Sequence, residues 1–192
     1  MNRRKIVVAV TGASGTLYAR LLLERLLRSG QVERIAVIVS ERGRQVAEFV
    51  RCALPLSDRR IEVCRNDDLF AGPASGSAGY DAMAVVPCSM GCVGRIAAGI
   101  SSDLIARAAD VMLKERRPLV LVPREAPFGT LHLRNMTSLS ECGAVIVPAC
   151  PSFYSHPEDI EALCMTVVER IAAHLGIDDL PRYEWPGRQE GR

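Results

Sequence analysis

Uncharged, β-rich runs alternate along the chain with stretches whose apolar residues return at helical spacing. KIVVAVT (5–11), RIAVIVS (34–40), DAMAVVPCS (81–89), PLVLVP (118–123) and AVIVPA (144–149) are such runs, with a shorter candidate in RIEVC (60–64). Continuous rather than alternating hydrophobicity marks strands buried on both faces. The spacing predicts helices from the TGASG loop to about residue 30, over 41–52, over 130–143 and over 156–177, the last with a proline at its start. Residues 90–117 are long enough for two consecutive helices, and FAGPASGSAG (70–79) reads as a small-residue loop. This alternation predicts one three-layer α/β domain over 1–180, its mostly parallel sheet covered by helices on both faces. A polar, Pro-rich tail over 181–192 carries the sole tryptophan, Trp185, and is the one candidate for disorder. In such sheets ligands lie at the carboxyl ends of the strands, near a reversal in strand order.

Small, hydroxyl and charged residues collect at those predicted ends: Thr11 to Gly15, Ser40, Cys88 to Met90, Arg124 with Glu125, and Pro151 to Tyr154. TGASG (11–15) opens the first helix, where free backbone N–H groups suit a phosphate. It is neither a G-x-G-x-x-G fingerprint nor a P-loop, and Ser14 is equally a candidate helix cap. PASGS (73–77) and PCSMG (87–91) are similar loops. Lys114, Glu115, Arg116 and Arg117 would ordinarily be a solvated helix end, with cations favoured by the dipole. Arg107 lies two turns before Lys114 on the same face, which makes an anion clamp geometrically feasible. His132, His156 and His174 suit surface or capping positions. Cys88 has no partnered base, so packing is its expected role.

Composition narrows the class. A chain of 192 residues suits one domain. A net charge of +2 with scattered basic residues gives no support to nucleic acid or a membrane surface as partner. No apolar run reaches the roughly 18 residues of a membrane span. The basic-then-apolar start runs straight into a glycine loop, so it reads as a first strand and not as a signal peptide. Seven cysteines without paired spacing point to free thiols and a cytoplasmic setting. Cys88 and Cys92 could share a helix face, but no histidine is near in sequence, and no metal is expected.

Taken together, TGASG, SGS, PCSM, IAAGISSDLIARAADVMLKERRPLVLVPREAPF, HLRNM, GAVIVPACPSFY and VVERI…LGI resemble the UbiX/Pad-type flavin prenyltransferases, over residues 5 to about 182. The long ordered block around LKERRPLVLVPRE is the most specific part. The resemblance implies a flavodoxin-like/Rossmann-like fold that binds FMN. It implies transfer of a dimethylallyl group from dimethylallyl phosphate to N5 and then C6 of reduced FMN, without metal. The product, prenylated FMN, would serve a UbiD-type decarboxylase. It also implies a homo-oligomer, a dodecamer built from trimers, with sites between subunits. Matching positions assign Gly12, Ala13, Ser14, Ser40, Ser89, Met90, Gly91, Cys92 and Arg124 to FMN. They assign Ser75, Arg107, Lys114, Glu125, Tyr154 and Arg170 to the prenyl phosphate, with Glu125, Lys114 and Arg107 in catalytic roles.

Three positions depart from the family pattern. A glutamate near the end of the second helix is replaced by Val50, with Glu48 two residues off. A tryptophan before the ASGS loop is Leu69, and a loop threonine is Cys92. Two other functions compete. A flavin-dependent cysteine decarboxylase shares the fold, but it needs an active-site histidine and an Asn-Met motif after a strand, whereas HLRNM falls on a predicted helix. A flavodoxin-type carrier would be acidic and would not need the Lys, Glu and Arg shell.

Overall fold

The structure, a computed structural model, describes residues 3–185 and Gly187. Strands β1 (Arg4–Val10), β2 (Val32–Val39), β3 (Ile61–Cys64), β4 (Ala82–Cys88), β5 (Leu119–Pro123) and β6 (Val145–Ile146) form one sheet in the order β3-β2-β1-β4-β5-β6. Every pairing is parallel, with Ile6 opposite Ile35 on one side and Ala82 on the other. The order reverses between β1 and β4. This is the switch point at which two strand ends diverge and leave a crevice for a ligand.

Helices α1 (Thr16–Arg28), α2 (Glu41–Phe49), α3 (Met90–Ala97), α4 (Leu104–Lys114), α5 (Thr130–Glu141) and α6 (Ile160–His174) connect and cover the strands. Side chains alternate across a strand. Ile6, Val8 and Val10 therefore pack towards α1 and α6, while Val7 and Ala9 pack towards α3, α4 and α5. Both faces of β1 are buried, which is why its sequence is continuously apolar.

Three details differ from the sequence reading. The last strand has two paired residues rather than six. Val147 and Ala149 N–H still bond Leu121 and Pro123 O, at 2.9 and 3.0 Å, but Pro148 between them has no N–H to give. The 70–79 loop contains two single-turn 3-10 helices, Gly72–Ala74 and Gly76–Ala78. α6 starts at Ile160, beyond Pro157, because the Asp159 carboxylate accepts the Ala162 N–H at 2.7 Å and caps it there.

The start of the expected tail is tied down. Leu180 and Pro181 O accept from Arg25, and the Tyr183 N–H bonds Glu169 at 3.1 Å. Residues 186 and 188–192 of that tail lie outside the described residues.

Candidate functional site

Thr11 pins the switch point. Its hydroxyl donates to Pro87 O at 2.8 Å and accepts the Ser89 N–H at 2.8 Å, so one buried side chain joins the end of β1 to the end of β4. Thr11→Val would keep the shape but leave the Pro87 carbonyl and the Ser89 N–H without that partner. A destabilisation of about 1–3 kcal/mol is expected by urea denaturation.

Three helices open at this edge. Ser40 caps α2 through the Gly43 N–H at 3.0 Å, and Ser89 caps α3 through the Cys92 N–H at 3.4 Å. α1 has no such cap: Gly15 holds the cap position at φ +120°, where an L side chain would be strained. Ser14 is exposed and makes no capping bond, so the reading of Ser14 as a helix cap is corrected. The first N–H groups of α1 are left for a ligand. Gly12 touches the first turn of α2, and a Cβ there would stand 2.5 Å from Arg42 Cβ. Gly12, Ala13, Ser14, Ser40, Ser89, Met90 and Gly91 thus surround one anion-attracting edge. Thr16, the first residue of α1, is buried, and its Oγ1 has no partner among the described residues. Sequence reasoning missed Thr16; its one signal was a hydroxyl directly after the glycine loop.

Cys92 lies on this loop, but its side chain is turned into the core beside Cys88, so it offers the site no thiol. Hydrogen bonding with Cys92, then burial, hold the Cys88 thiol well above its ordinary range, which removes it as a nucleophile.

Arg124 and Glu125 follow β5 at the same edge and are exposed. Arg124 forms no ion pair among the described residues, which leaves its guanidinium free for an anion. The backbone bond from Ala149 to Pro123 O lays the 150–154 segment alongside them. The Ser152 N–H bonds Thr166 Oγ1 at 3.1 Å and joins that segment to α6, one turn before Arg170. Tyr154 packs edge-on against Trp185, ring centres 5.1 Å apart.

Lys114 does not reach this edge within one chain. A crossover helix runs antiparallel to its strands, so Lys114, the last residue of α4, lies near the start of β5, about 16 Å along the strand from Arg124. Ser75, Arg107 and Lys114 belong to α4 and the turns packed against it. Arg107 Nε donates to Ala74 O at 3.1 Å, beside Ser75, and its Nη1 pairs with Asp110 at 2.9 Å. Lys114 Nζ bonds Glu115 at 2.7 Å, and this bond holds the Glu115 carboxyl below the usual carboxylate range. Arg117 donates to Tyr80 O and Gly76 O, at 2.9 and 3.0 Å, and fixes the Ser75–Ser77 turn. Glu115 and Arg117, which read as an ordinary solvated helix end, are part of these contacts. Val50 caps the C-terminus of α2, half-exposed and about 15 Å along the helix from Ser40.

The carboxyl edge fits a flavin phosphate, with an uncapped helix start, a glycine cradle that a Cβ would fill, an orphaned hydroxyl and a free arginine. No group of three or more metal-ligating side chains stands together among the described residues. None of their helices is long and apolar enough to cross a membrane.

Known proteins agree with this geometry. The Flavoprotein family model matches residues 1–174. Flavin prenyltransferase UbiX of Pseudomonas aeruginosa is 44% identical, with 93% of each chain covered. The crystal structure of AnUbiX (PadA1), in complex with FMN and dimethylallyl pyrophosphate, superposes with a TM-score of 0.84 at 40% identity, over 96% of this chain and 99% of that one. A dodecameric FMN-dependent UbiX-like decarboxylase from Escherichia coli O157:H7 superposes with a TM-score of 0.86 at 37% identity, over 95% and 100%. With its flavin edge, its parallel sheet and relatives alike over nearly their whole length, the chain belongs to the UbiX-type flavin prenyltransferases of the Flavoprotein family.

Proposed function

We propose that the chain transfers a dimethylallyl group from dimethylallyl phosphate to N5 and then C6 of reduced FMN, and hands the prenylated FMN to a UbiD-type decarboxylase. One observation carries this reading: a free arginine and a carboxylate, Arg124 and Glu125, stand together beside an anion-binding edge built from three helix starts. In the reaction the allylic C–O bond breaks and the phosphate leaves with the electron pair. The freed allylic carbon bonds N5, which releases its proton; the remaining C=C then takes up a proton, its tertiary carbon bonds C6, and the C6 proton is released. Arg170, Arg107 and Lys114 would stabilise the leaving phosphate, whose charge grows as the bond breaks. Ser75 and Tyr154 would hydrogen-bond it. Glu125 would take a proton from the flavin or give one to the phosphate. Gly12, Ala13, Ser14, Ser40, Ser89, Met90, Gly91, the backbone of Cys92 and Arg124 would hold FMN.

A single chain cannot bring Lys114 to Glu125. The proposal therefore includes a neighbouring copy that sets its Ser75, Arg107 and Lys114 over this edge, in a closed trimer-based homo-oligomer and by extension a dodecamer. Exposed apolar side chains support association: Phe49 and Phe70 are 89% and 102% exposed. A cytoplasmic setting belongs to the same proposal, since all seven cysteines are free and two of them, Cys142 and Cys150, are exposed.

The cysteine decarboxylase alternative loses ground on its own motif. HLRNM lies within α5 rather than after a strand, and His132 accepts the Gly129 N–H at the helix start. Arg124→Ala tests the cofactor edge. Loss of a charge-assisted contact worth about 1.5–3 kcal/mol should weaken FMN retention some 10- to 150-fold by equilibrium dialysis. Unchanged affinity would remove Arg124 from the FMN site.

A further inference from the structure

Arg25 is a charged residue on the wrong side of α1. It is 6% exposed, among Leu21, Leu22 and Leu26 on the face that packs towards α6. Its Nε is buried without a partner among the described residues, and burial lowers its pKa. An apolar side chain would serve the core better, since a buried ion contributes little net stability. What the arginine supplies is geometry. Nη2 donates to Pro181 O at 2.7 Å and Leu180 O at 3.3 Å, and Nη1 stands 4.0 Å from Glu169 Oε1. The other oxygen of Glu169 accepts the Tyr183 N–H at 3.1 Å. Arg25 and Glu169 thus hold residues 180–183 from both sides.

The held segment forms part of a depression. Arg182 and Tyr183 wall a cavity of about 160 Å³ together with Ser152, Arg170 and His174. Two residues further on, the Trp185 ring meets Tyr154 at 79°. Apart from Glu169, whose carboxylate is already engaged by Arg25 and by Tyr183, the charged groups facing this cavity are the arginines Arg170 and Arg182, with His174 beside them. We propose that Arg25, with Glu169, is a positioning residue for the phosphate of the prenyl donor: by fixing residues 180–185 it sets Arg182 across from Arg170 and locks Tyr154 in place. Arg25 touches neither donor nor flavin. The inference rests on the prenyl-transfer reading for the identity of the phosphate ester, but not for the binding of phosphate itself.

The test uses the full-length chain with Arg25→Ala, Glu169→Ala and Glu169→Gln. The last keeps a side-chain oxygen to accept the Tyr183 N–H. Trp185 is the only tryptophan, so fluorescence anisotropy reports directly on the segment. In Arg25→Ala and Glu169→Ala the anisotropy should fall. The KM for dimethylallyl phosphate and the Kd for inorganic phosphate should rise about ten-fold, with kcat at saturation and FMN retention little changed. Glu169→Gln should recover most of the loss. If Arg25→Ala does not fold, the Glu169 pair decides the matter. A freed segment with unchanged phosphate affinity would overturn the proposal, as would unchanged anisotropy in Glu169→Ala. If the wild type makes no prenylated flavin, the functional reading falls, and the phosphate titration still tests the positioning role.

Discussion

Glu125→Gln is expected to leave FMN bound and to slow prenyl transfer about 10²- to 10⁴-fold, the usual effect of losing a general acid-base group. One oxygen of Glu125 already accepts the Ala126 N–H, at 3.1 Å. The amide of glutamine can keep that bond, so the side chain should hold its place and lose only the ability to exchange a proton. Val50 sharpens the expectation. With no carboxylate at that position, the proposed proton transfer rests on Glu125 alone. Single-turnover rates with pre-bound reduced FMN check this. A Glu125→Gln rate within a factor of a few of wild type would assign the proton transfer elsewhere. Val50→Glu in that background should then recover part of the rate if the position faces the site in the assembly.

Two inactive variants should restore each other. Lys114→Ala and Glu125→Gln are each expected to be severely impaired alone. Lys114 and Glu125 lie at opposite edges of one sheet, and a functional pair has to come from two copies. When the two variants are unfolded, mixed and refolded together, some sites receive Lys114 from one chain and Glu125 from another. Random assembly of two-chain sites would recover activity to about a quarter of wild type. Refolding each variant separately and then mixing without exchange should recover none. No recovery after co-refolding, with oligomers of normal size by light scattering, would place both residues in a site drawn from one chain.

How far the sequence speaks depends on whether a residue's partner is local. The strands were legible because β1, β2, β4 and β5 are buried on both faces, and continuous apolar runs mark that state. β6 was over-read because a proline in the run interrupts pairing without interrupting hydrophobicity. The flavin edge was legible as a set of loops following strands. Ser14 could not be separated from a cap by sequence because loop and cap chemistry use the same residues, and only the position of Gly15 separates them. Lys114 shows the sharper limit. Its role came from the resemblance alone, because spacing could not place it: the ten residues to Arg124 include a strand that carries the chain across the whole sheet. Arg117 and Arg25 were invisible for the opposite reason. Their partners at Gly76 and Pro181 are set by tertiary packing, and a charged residue at a helix end or on a helix face gives no sequence signal of what it holds.

The central claim is that this chain builds a prenylated flavin. It is tested most directly by one anaerobic incubation of the protein with reduced FMN and dimethylallyl phosphate, followed by mass spectrometry of the released flavin. The account predicts a flavin heavier by one C5 unit, formed without added metal and absent when the phosphate ester is withheld. FMN recovered unmodified from a protein that binds it, with the monophosphate and the diphosphate alike, would contradict the account.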